Sequence, residues 1–211
     1  TASNGCTDTE SIVITKDVSA PSASISASAT TLTCSTTKST LTASGGGTYK
    51  WSNSLGSSAG ATISAAGTYT VTVTSSSTGC TDTESITITK DVSAPTADAG
   101  SDFTKTCTSN ASGKAIGAAA VSGETYSWNN SGTLSSSTAA NPTADPSSTT
   151  TYTVTATKTS TGCTSTDDVK VTVNKTAPTA SITNNTGTSE INCNTKSISV
   201  TAKGGGTYKW S

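Results

Sequence analysis

The run Gly5-Cys6-Thr7-Asp8-Thr9-Glu10-Ser11, continuing to Ala20-Pro21, returns almost letter for letter from Gly79 to Pro95. A looser copy runs from Gly162-Cys163-Thr164 to Thr176-Ala177-Pro178. A chain that repeats itself folds as one unit several times over. The Pro-to-Pro periods, 21 to 95 and 95 to 178, are 74 and 83 residues. That is the size of a small β-sandwich and well above a solenoid repeat. Each period carries the same marks in the same order: Pro21, Cys34, Tyr49-Lys50-Trp51, Tyr69 and Cys80, then Pro95, Cys107, Tyr126-Ser127-Trp128, Tyr152 and Cys163. A third set opens with Pro178, Cys193 and Tyr208-Lys209-Trp210. The division that follows is residues 1–20 as the C-terminal end of a preceding module, 21–94 and 95–177 as complete modules, and 178–211 as the N-terminal part of another.

Only 31% of the residues are hydrophobic and 4% aromatic, a composition that without pattern would suggest disorder. The pattern overrides it. Thr68-Tyr69-Thr70-Val71-Thr72-Val73-Thr74 alternates with period two, which sets Tyr69, Val71 and Val73 on one face and threonines on the other. Thr151 to Thr157 repeats the alternation with Tyr152 and Val154, and Ser85–Thr89 and Val169–Val173 read as the matching last strands. Trp51 and Trp128, each two residues after a Tyr, are the expected core centres, with Tyr69 and Tyr152 beside them. Gly45-Gly46-Gly47 and Gly204-Gly205-Gly206 read as tight turns. No stretch has helical periodicity, so the expected fold is all-β: a tandem array of small Ig-like β-sandwich modules.

Cores this small usually need staples. The six cysteines fall at recurring module positions, and with no His and no Cys-x-x-Cys the metal reading is poor. The first expectation is pairing within modules, Cys34–Cys80 and Cys107–Cys163, each closing a loop worth about 4 kcal/mol in the chain-entropy account. Cys6 and Cys193 would then pair outside the fragment. Two alternatives stay open. Cys34 could lie at the opposite pole from the turn bearing Cys80 and meet Cys163 instead, or all six could pair as Cys6–Cys34, Cys80–Cys107 and Cys163–Cys193.

The run Leu41 to Ser52, followed by Gly67 to Thr74 and Gly79-Cys80-Thr81, resembles the Ig-like/PKD-like repeats of giant surface proteins of Bacteroidota, including the SprB-type adhesins of gliding bacteria. The likeness extends module by module over the whole chain. It implies export by the type IX secretion route and display on the bacterial cell surface as an adhesive or structural fibre, in the service of gliding motility. One departure matters: the Trp-Asp-Phe-Gly type motif of PKD modules is replaced by Trp51-Ser52-Asn53 and Trp128-Asn129-Asn130.

Other chemistry is thinly represented. A net charge of −1, no visible basic patch and no Arg give no reason to expect nucleic acid. No apolar run reaches membrane-spanning length, so membrane insertion is not expected, and the lack of Met and of a signal peptide suits a piece of a longer secreted polypeptide. Without His there is no Ser-His pair, and the charged residues form no repeated cleft-like set, so the expectation is a non-enzyme with no cofactor. The acids Asp8/Glu10, Asp82/Glu84 and Asp167/Asp168 recur after each Gly-Cys and read as a solvated, edge-protecting face. A weaker Ca²⁺ reading draws on Asp91, Asp98 and Asp102, with Asp17, near the module junctions. The sequons at Asn110, Asn129, Asn174 and Asn184 are what chance gives in a chain this rich in Ser and Thr.

The function expected from this reading is mechanical: the disulfide-stapled stalk of a long extracellular adhesin or fibre. Linkers such as Thr89 to Pro95 are short and stiffened by proline, and the first partners are the neighbouring modules of the same chain. Two rival readings are a self-assembling extracellular filament or sheath subunit, with lateral self-association, and carbohydrate-binding modules facing a surface polysaccharide. Of the aromatics, Phe103 is the one without an assigned core position.

Overall fold

Alternating apolar and hydroxyl residues become strands wherever a second strand lies within pairing reach. The computed structural model describes residues 1–211. The first sandwich comprises β1 (Ser24–Ala27), β2 (Thr31–Leu32), β3 (Ser39–Ser44), β4 (Thr48–Trp51), β5 (Gly60–Ile63), β6 (Gly67–Thr74) and β7 (Thr81–Lys90). One sheet is ordered β1-β3-β5 and the other β2-β7-β6-β4. All the pairs are antiparallel except β2 with β7, which run parallel with Thr31 beside Thr89 and Leu32 beside Lys90. Two mostly antiparallel sheets, with the opening stretch of chain crossing from one to the other, make an Ig-like sandwich.

Tyr69, Val71 and Val73 on β6 point inward and are buried with Leu32, Leu41, Trp51, Ile63 and Ile88. The opposite face shows what the abundant Ser and Thr do. Residues directly opposite in register join hydroxyl to hydroxyl: Ser24 with Ser44 at 2.7 Å, Thr31 with Thr89 at 2.8 Å, and Thr70 with Ser85 at 2.8 Å. Each such pair contributes roughly 0.2–1 kcal/mol and discourages a slip of register. The Trp51 indole N–H donates to the Ser58 carbonyl at 2.9 Å, and the Tyr69 hydroxyl donates to the Ala65 carbonyl at 2.8 Å. A Tyr near the start of its strand bonding the backbone just upstream is the tyrosine corner of Ig domains. At the β3–β4 turn Gly45 has φ +140°, and a Cβ there would meet the Ser22 carbonyl oxygen at 2.5 Å. Only glycine lets the turn close against the incoming chain.

The second set of strands is β8 (Phe103–Lys105), β9 (Lys114–Ala115), β10 (Glu124–Trp128), β11 (Thr143–Ala144), β12 (Thr150–Lys158) and β13 (Thr164–Val173), with a 3-10 turn at Ser131–Thr133. Its sheets are ordered β10-β12-β13-β8 and β11-β9. As in the first sandwich, the early strand is parallel to the last: Phe103 lies beside Val171 and Lys105 beside Val173. Trp128, Tyr152, Val154, Val169 and Val171 are buried. The Trp128 indole donates to the Ala139 carbonyl at 2.9 Å, the counterpart of the bond made by Trp51. Beyond this set, β14 (Ser181–Asn184) pairs antiparallel with β15 (Val200–Lys203). Residues 1–20 form no strand, and Ile12, Val13 and Ile14 are exposed.

The last strands begin earlier than the alternation suggested, at Thr81 and Thr164, immediately after each Gly-Cys. The chain divides into two compact units. One holds Thr1–Ala97, Ala120–Ser127 and Thr155–Thr166; the other holds Asp98–Ala119, Trp128–Val154 and Asp167–Ser211.

Candidate functional site

The cysteines lie on two recurring turns. The first, here the cap turn, follows the early strand. Thr33 N–H donates to the Thr36 carbonyl and Thr106 N–H to the Ser109 carbonyl, each at 2.9 Å, and Asn192 N–H does the same with Thr195 at 2.9 Å. A side-chain oxygen fixes each turn from within: Thr33 Oγ1 accepts from Thr36 N–H at 3.0 Å, Thr106 Oγ1 from Ser109 N–H at 2.8 Å, and Asn192 Oδ1 from Thr195 N–H at 2.9 Å. These turns present Cys34, Cys107 and Cys193.

The second, the hairpin turn, precedes the last strand. Ser75 N–H donates to the Cys80 carbonyl and Lys158 N–H to the Cys163 carbonyl, each at 2.9 Å; at the same repeat position Ala2 N–H closes a turn one residue shorter on the Cys6 carbonyl at 2.7 Å, with no strand after it. Here too a side-chain oxygen two residues upstream accepts the cysteine N–H: Thr78 for Cys80 at 3.3 Å, Thr161 for Cys163 at 3.4 Å and Asn4 for Cys6 at 3.1 Å.

One disulfide forms, between Cys34 and Cys163, with a Cα–Cα separation of 5.0 Å across 129 residues of sequence. Cys6, Cys80, Cys107 and Cys193 are free thiols. The expected Cys34–Cys80 and Cys107–Cys163 bonds are thus corrected, and the register gives the reason. Cys34 follows Leu32, which pairs with Lys90 at the far end of β7, while Cys80 precedes Thr81 at its near end. Ten residues of strand separate the two levels by about 33 Å, beyond any disulfide. Cys107 and Cys163 stand in the same relation to the two ends of β13. A sandwich of this topology has a cap cysteine at one pole and a hairpin cysteine at the other, so it cannot bond its own pair.

Around the bond, Ser35 N–H and Ser35 Oγ both donate to the Thr161 carbonyl at 3.1 Å. Gly162 has φ +68°, and a Cβ on it would sit 2.8 Å from Ser35 Cβ; Gly5 and Gly79 share the positive φ without such a contact, so the left-handed turn is what the Gly of Gly-Cys supplies throughout. Lys158 Nζ donates to Ser93 Oγ at 2.9 Å and lies 3.4 Å from Asp91 Oδ2. The Ser93 hydroxyl, then its N–H, hold the Asp91 carboxyl below its ordinary pKa, and Lys158 adds to the effect. Asp17 is lowered in the same direction by the Ser19 hydroxyl and N–H. The same turn recurs in the third linker, where Asn174 Oδ1 accepts from Thr176 N–H at 3.2 Å. Asp-x-Ser or Asn-x-Thr ahead of Ala-Pro is therefore a linker turn. Sequence reading missed it, although the motif is printed three times.

The recurring acids also have a structural role that the edge-protection reading did not foresee. Asp82 Oδ2 accepts from Ala23 N–H and Asp167 Oδ2 from Ala99 N–H, each at 2.8 Å. The last strand thus clamps the chain a few residues after the first two linker prolines, Pro21 and Pro95. Of the Ca²⁺ candidates, Asp98 accepts from Gly100 N–H and Asp102 from Lys170 N–H, each at 2.8 Å, while Asp91 serves the linker turn. No three Asp, Glu, Cys or His side chains gather as a metal cluster. Phe103 is half-buried, with Lys114 Nζ 5.1 Å from its ring centroid. Lys105, which occupies the position of Leu32 relative to the following cysteine, is buried at 3% exposure. It is ion-paired with Asp145 and donates to the Pro146 carbonyl at 3.2 Å. Nothing in the sequence pattern marked it.

No family model and no curated protein matches the sequence. Similar solved structures include the three N-terminal domains of the bacteriophage RB49 Highly Immunogenic Outer Capsid protein (Hoc), at 16% identity over 89% of this chain and 70% of that one, TM-score 0.40. The Clostridium thermocellum CbhA fibronectin(III)-like modules match at 11% identity over 72% and 95%, TM-score 0.33. Sidekick-1 immunoglobulin domains 1-4 match at 12% identity over 82% and 55%, TM-score 0.28.

Proposed function

We propose that this chain is a structural, non-catalytic repeat region of a long extracellular surface adhesin or fibre, and that it works as a disulfide-stapled stalk. The repeating modules in this reading are residues 21–94 and 95–177. The observation that carries it is the Cys34–Cys163 bond, because it ties a turn of one repeat to a turn of the next. A load applied along the chain is then carried by the covalent bond past everything between Cys34 and Cys163, strands β3 to β12 included. Two features add support: the linker turn built around each Asp or Asn, and the Asp82 and Asp167 clamps that seat the chain after Pro21 and Pro95. Both resist extension at the junctions. Secretion by the type IX route and display on a bacterial surface rest on the repeat resemblance alone.

Pulling the oxidised chain from its two ends by force spectroscopy tests the reading. The 129 residues spanned by the bond stay locked until reduction. Reductant is expected to add about 430–460 Å of extension at 3.3–3.6 Å per residue. Equal total extension with and without reductant would overturn the stapled stalk, and turnover of a sugar or peptide by the purified chain would overturn the non-catalytic reading.

A further inference from the structure

Five of the six cysteines sit on two kinds of turn, with Cys6 at the hairpin position of its repeat, and the bond that forms joins one of each kind: the cap-turn Cys34 with the hairpin-turn Cys163. We propose that this is a pairing rule, in which every cap-turn cysteine is built to bond a hairpin-turn cysteine of the following copy of the module. Cys107 and Cys193 are then donors toward a next copy, and Cys80 and Cys6 are receivers for a previous one.

Three observations carry the rule. The turns that hold Cys107 and Cys193 reproduce the hydrogen bonds that hold Cys34, backbone and side chain alike. The turn that holds Cys80 likewise reproduces the one that holds Cys163: besides the shared bond to the cysteine carbonyl, Gly79 N–H donates to Ser75 at 2.9 Å and Gly162 N–H to Lys158 at 2.8 Å. The third is independent of the cysteines. The Cys163 hairpin engages the linker ahead of its own repeat, through Lys158 on Ser93. The Cys80 hairpin engages the linker ahead of its repeat too, through Thr78 Oγ1 donating to the Ser19 carbonyl at 3.0 Å. The hairpin bearing the free thiol is therefore docked on the linker ahead of its own repeat, as the bonded one is on the linker ahead of its repeat. The partner it lacks is a cap turn, and within its own sandwich the two poles lie too far apart to supply it. Its chemical partner is another copy of this module.

The bond forms by thiol–disulfide exchange with a small-molecule disulfide such as oxidised glutathione. The cap thiolate attacks one glutathione sulfur and releases the first reduced glutathione. The hairpin thiolate then attacks the protein sulfur of the mixed disulfide and releases the second. Two protein thiols are oxidised, one glutathione disulfide is reduced, and both protons end on the released thiols.

The rule rests on the stapled-array reading, and one experiment separates their failures. The full chain, half of it labelled with ¹⁵N, is held in a glutathione redox buffer, quenched, digested without reductant and analysed by mass spectrometry. Mixed-isotope disulfides report links between chains. Links of Cys107 or Cys193 to Cys6 or Cys80 are expected to exceed cap–cap and hairpin–hairpin links by about tenfold or more. The same oxidation in denaturant is expected to bring the two classes to parity. Parity in the folded chain, or thiols that stop as glutathione mixed disulfides, would overturn the rule while leaving Cys34–Cys163 in place. A digest of the folded chain without the Cys34–Cys163 link would overturn the stapled-array reading itself.

Discussion

Gly-Gly-Gly-Thr-Tyr-Lys-Trp-Ser occurs twice, at 45–52 and at 204–211, and the two copies reach opposite ends. In both, the first glycine closes a turn against the chain that opens the repeat. Gly45 faces the Ser22 carbonyl and Gly204, at φ +130°, faces that of Thr179. The strands beside the turn pair alike, Ile25 opposite Ala43 and Ile182 opposite Ala202. Then the copies part. Thr48–Trp51 pairs with β6, and Trp51 is 4% exposed. Residues 207–211 form no strand, and Trp210 is 55% exposed. The glycine turn and its hairpin are local products. The buried tryptophan is made by the strand opposite it.

The sharpest way to break this comparison is to truncate both tryptophans. Trp51→Ala is expected to cost about 3–5 kcal/mol in denaturant unfolding of the first sandwich. Trp210→Ala should fall within about 0.5 kcal/mol of the parent chain. Similar losses at both sites would mean that the octapeptide packs alike in both places.

The cysteine turns pose the same contrast one level up, because Cys34 and Cys107 share a turn and differ in partner. Under oxidising conditions Cys34→Ser should lower stability by about 2–4 kcal/mol, and Cys107→Ser should leave the isolated chain within about 0.5 kcal/mol of its parent. Melting curves with and without reductant check this, since reductant should erase the difference. An equal loss in both variants would place a second staple at Cys107.

A smaller effect is expected at the acids. Asp82→Ala strands the Ala23 N–H and should cost about 1–2 kcal/mol by chemical denaturation. Asp8→Ala, in the same repeat position but in a segment without strands, should cost nothing measurable. If the two variants match, the clamp on the opening strand is not what Asp82 supplies.

The smallest effect is electrostatic. Asp17 and Asp91 share a linker turn that holds both carboxyls below their ordinary pKa, and Asp91 alone also has Lys158. A depressed folded pKa stabilises above the unfolded value of about 3.9 and is lost as pH falls through the folded value. The contribution of these turns is therefore present at neutral pH and fades in acid. Carboxyl titration by NMR should find both groups low, with Lys158→Ala raising Asp91 and leaving Asp17 unmoved. A shift of both would show that the turns are not independent.

Much of this fold was legible because its signals are local. Period-two alternation put Tyr69, Val71 and Val73 on one face, and the Tyr-x-Trp pairs marked the buried Trp51 and Trp128. The exchange of Leu32 for Lys105 was not legible. A lysine in a core position reads as an error until Asp145 and the Pro146 carbonyl are seen around it. The disulfide was legible as a staple but not as a pair, because the recurring spacing put the within-module loops first and only the strand register sets their cysteines at opposite ends.

By itself, then, the sequence determined the units: which residues alternate, where glycine must turn, where Asp and Asn close the linkers, and which two turns hold the cysteines. These depend on contacts a few residues long, and the chain repeats them wherever the letters recur. Tertiary structure decided the outcomes. It set β6 opposite Thr48–Trp51 and so buried Trp51, and it joined Cys34 to Cys163 across 129 residues. The physical reason is reach. A strand ten residues long carries its two cysteines about 33 Å apart, so the partner of each had to come from elsewhere in the fold.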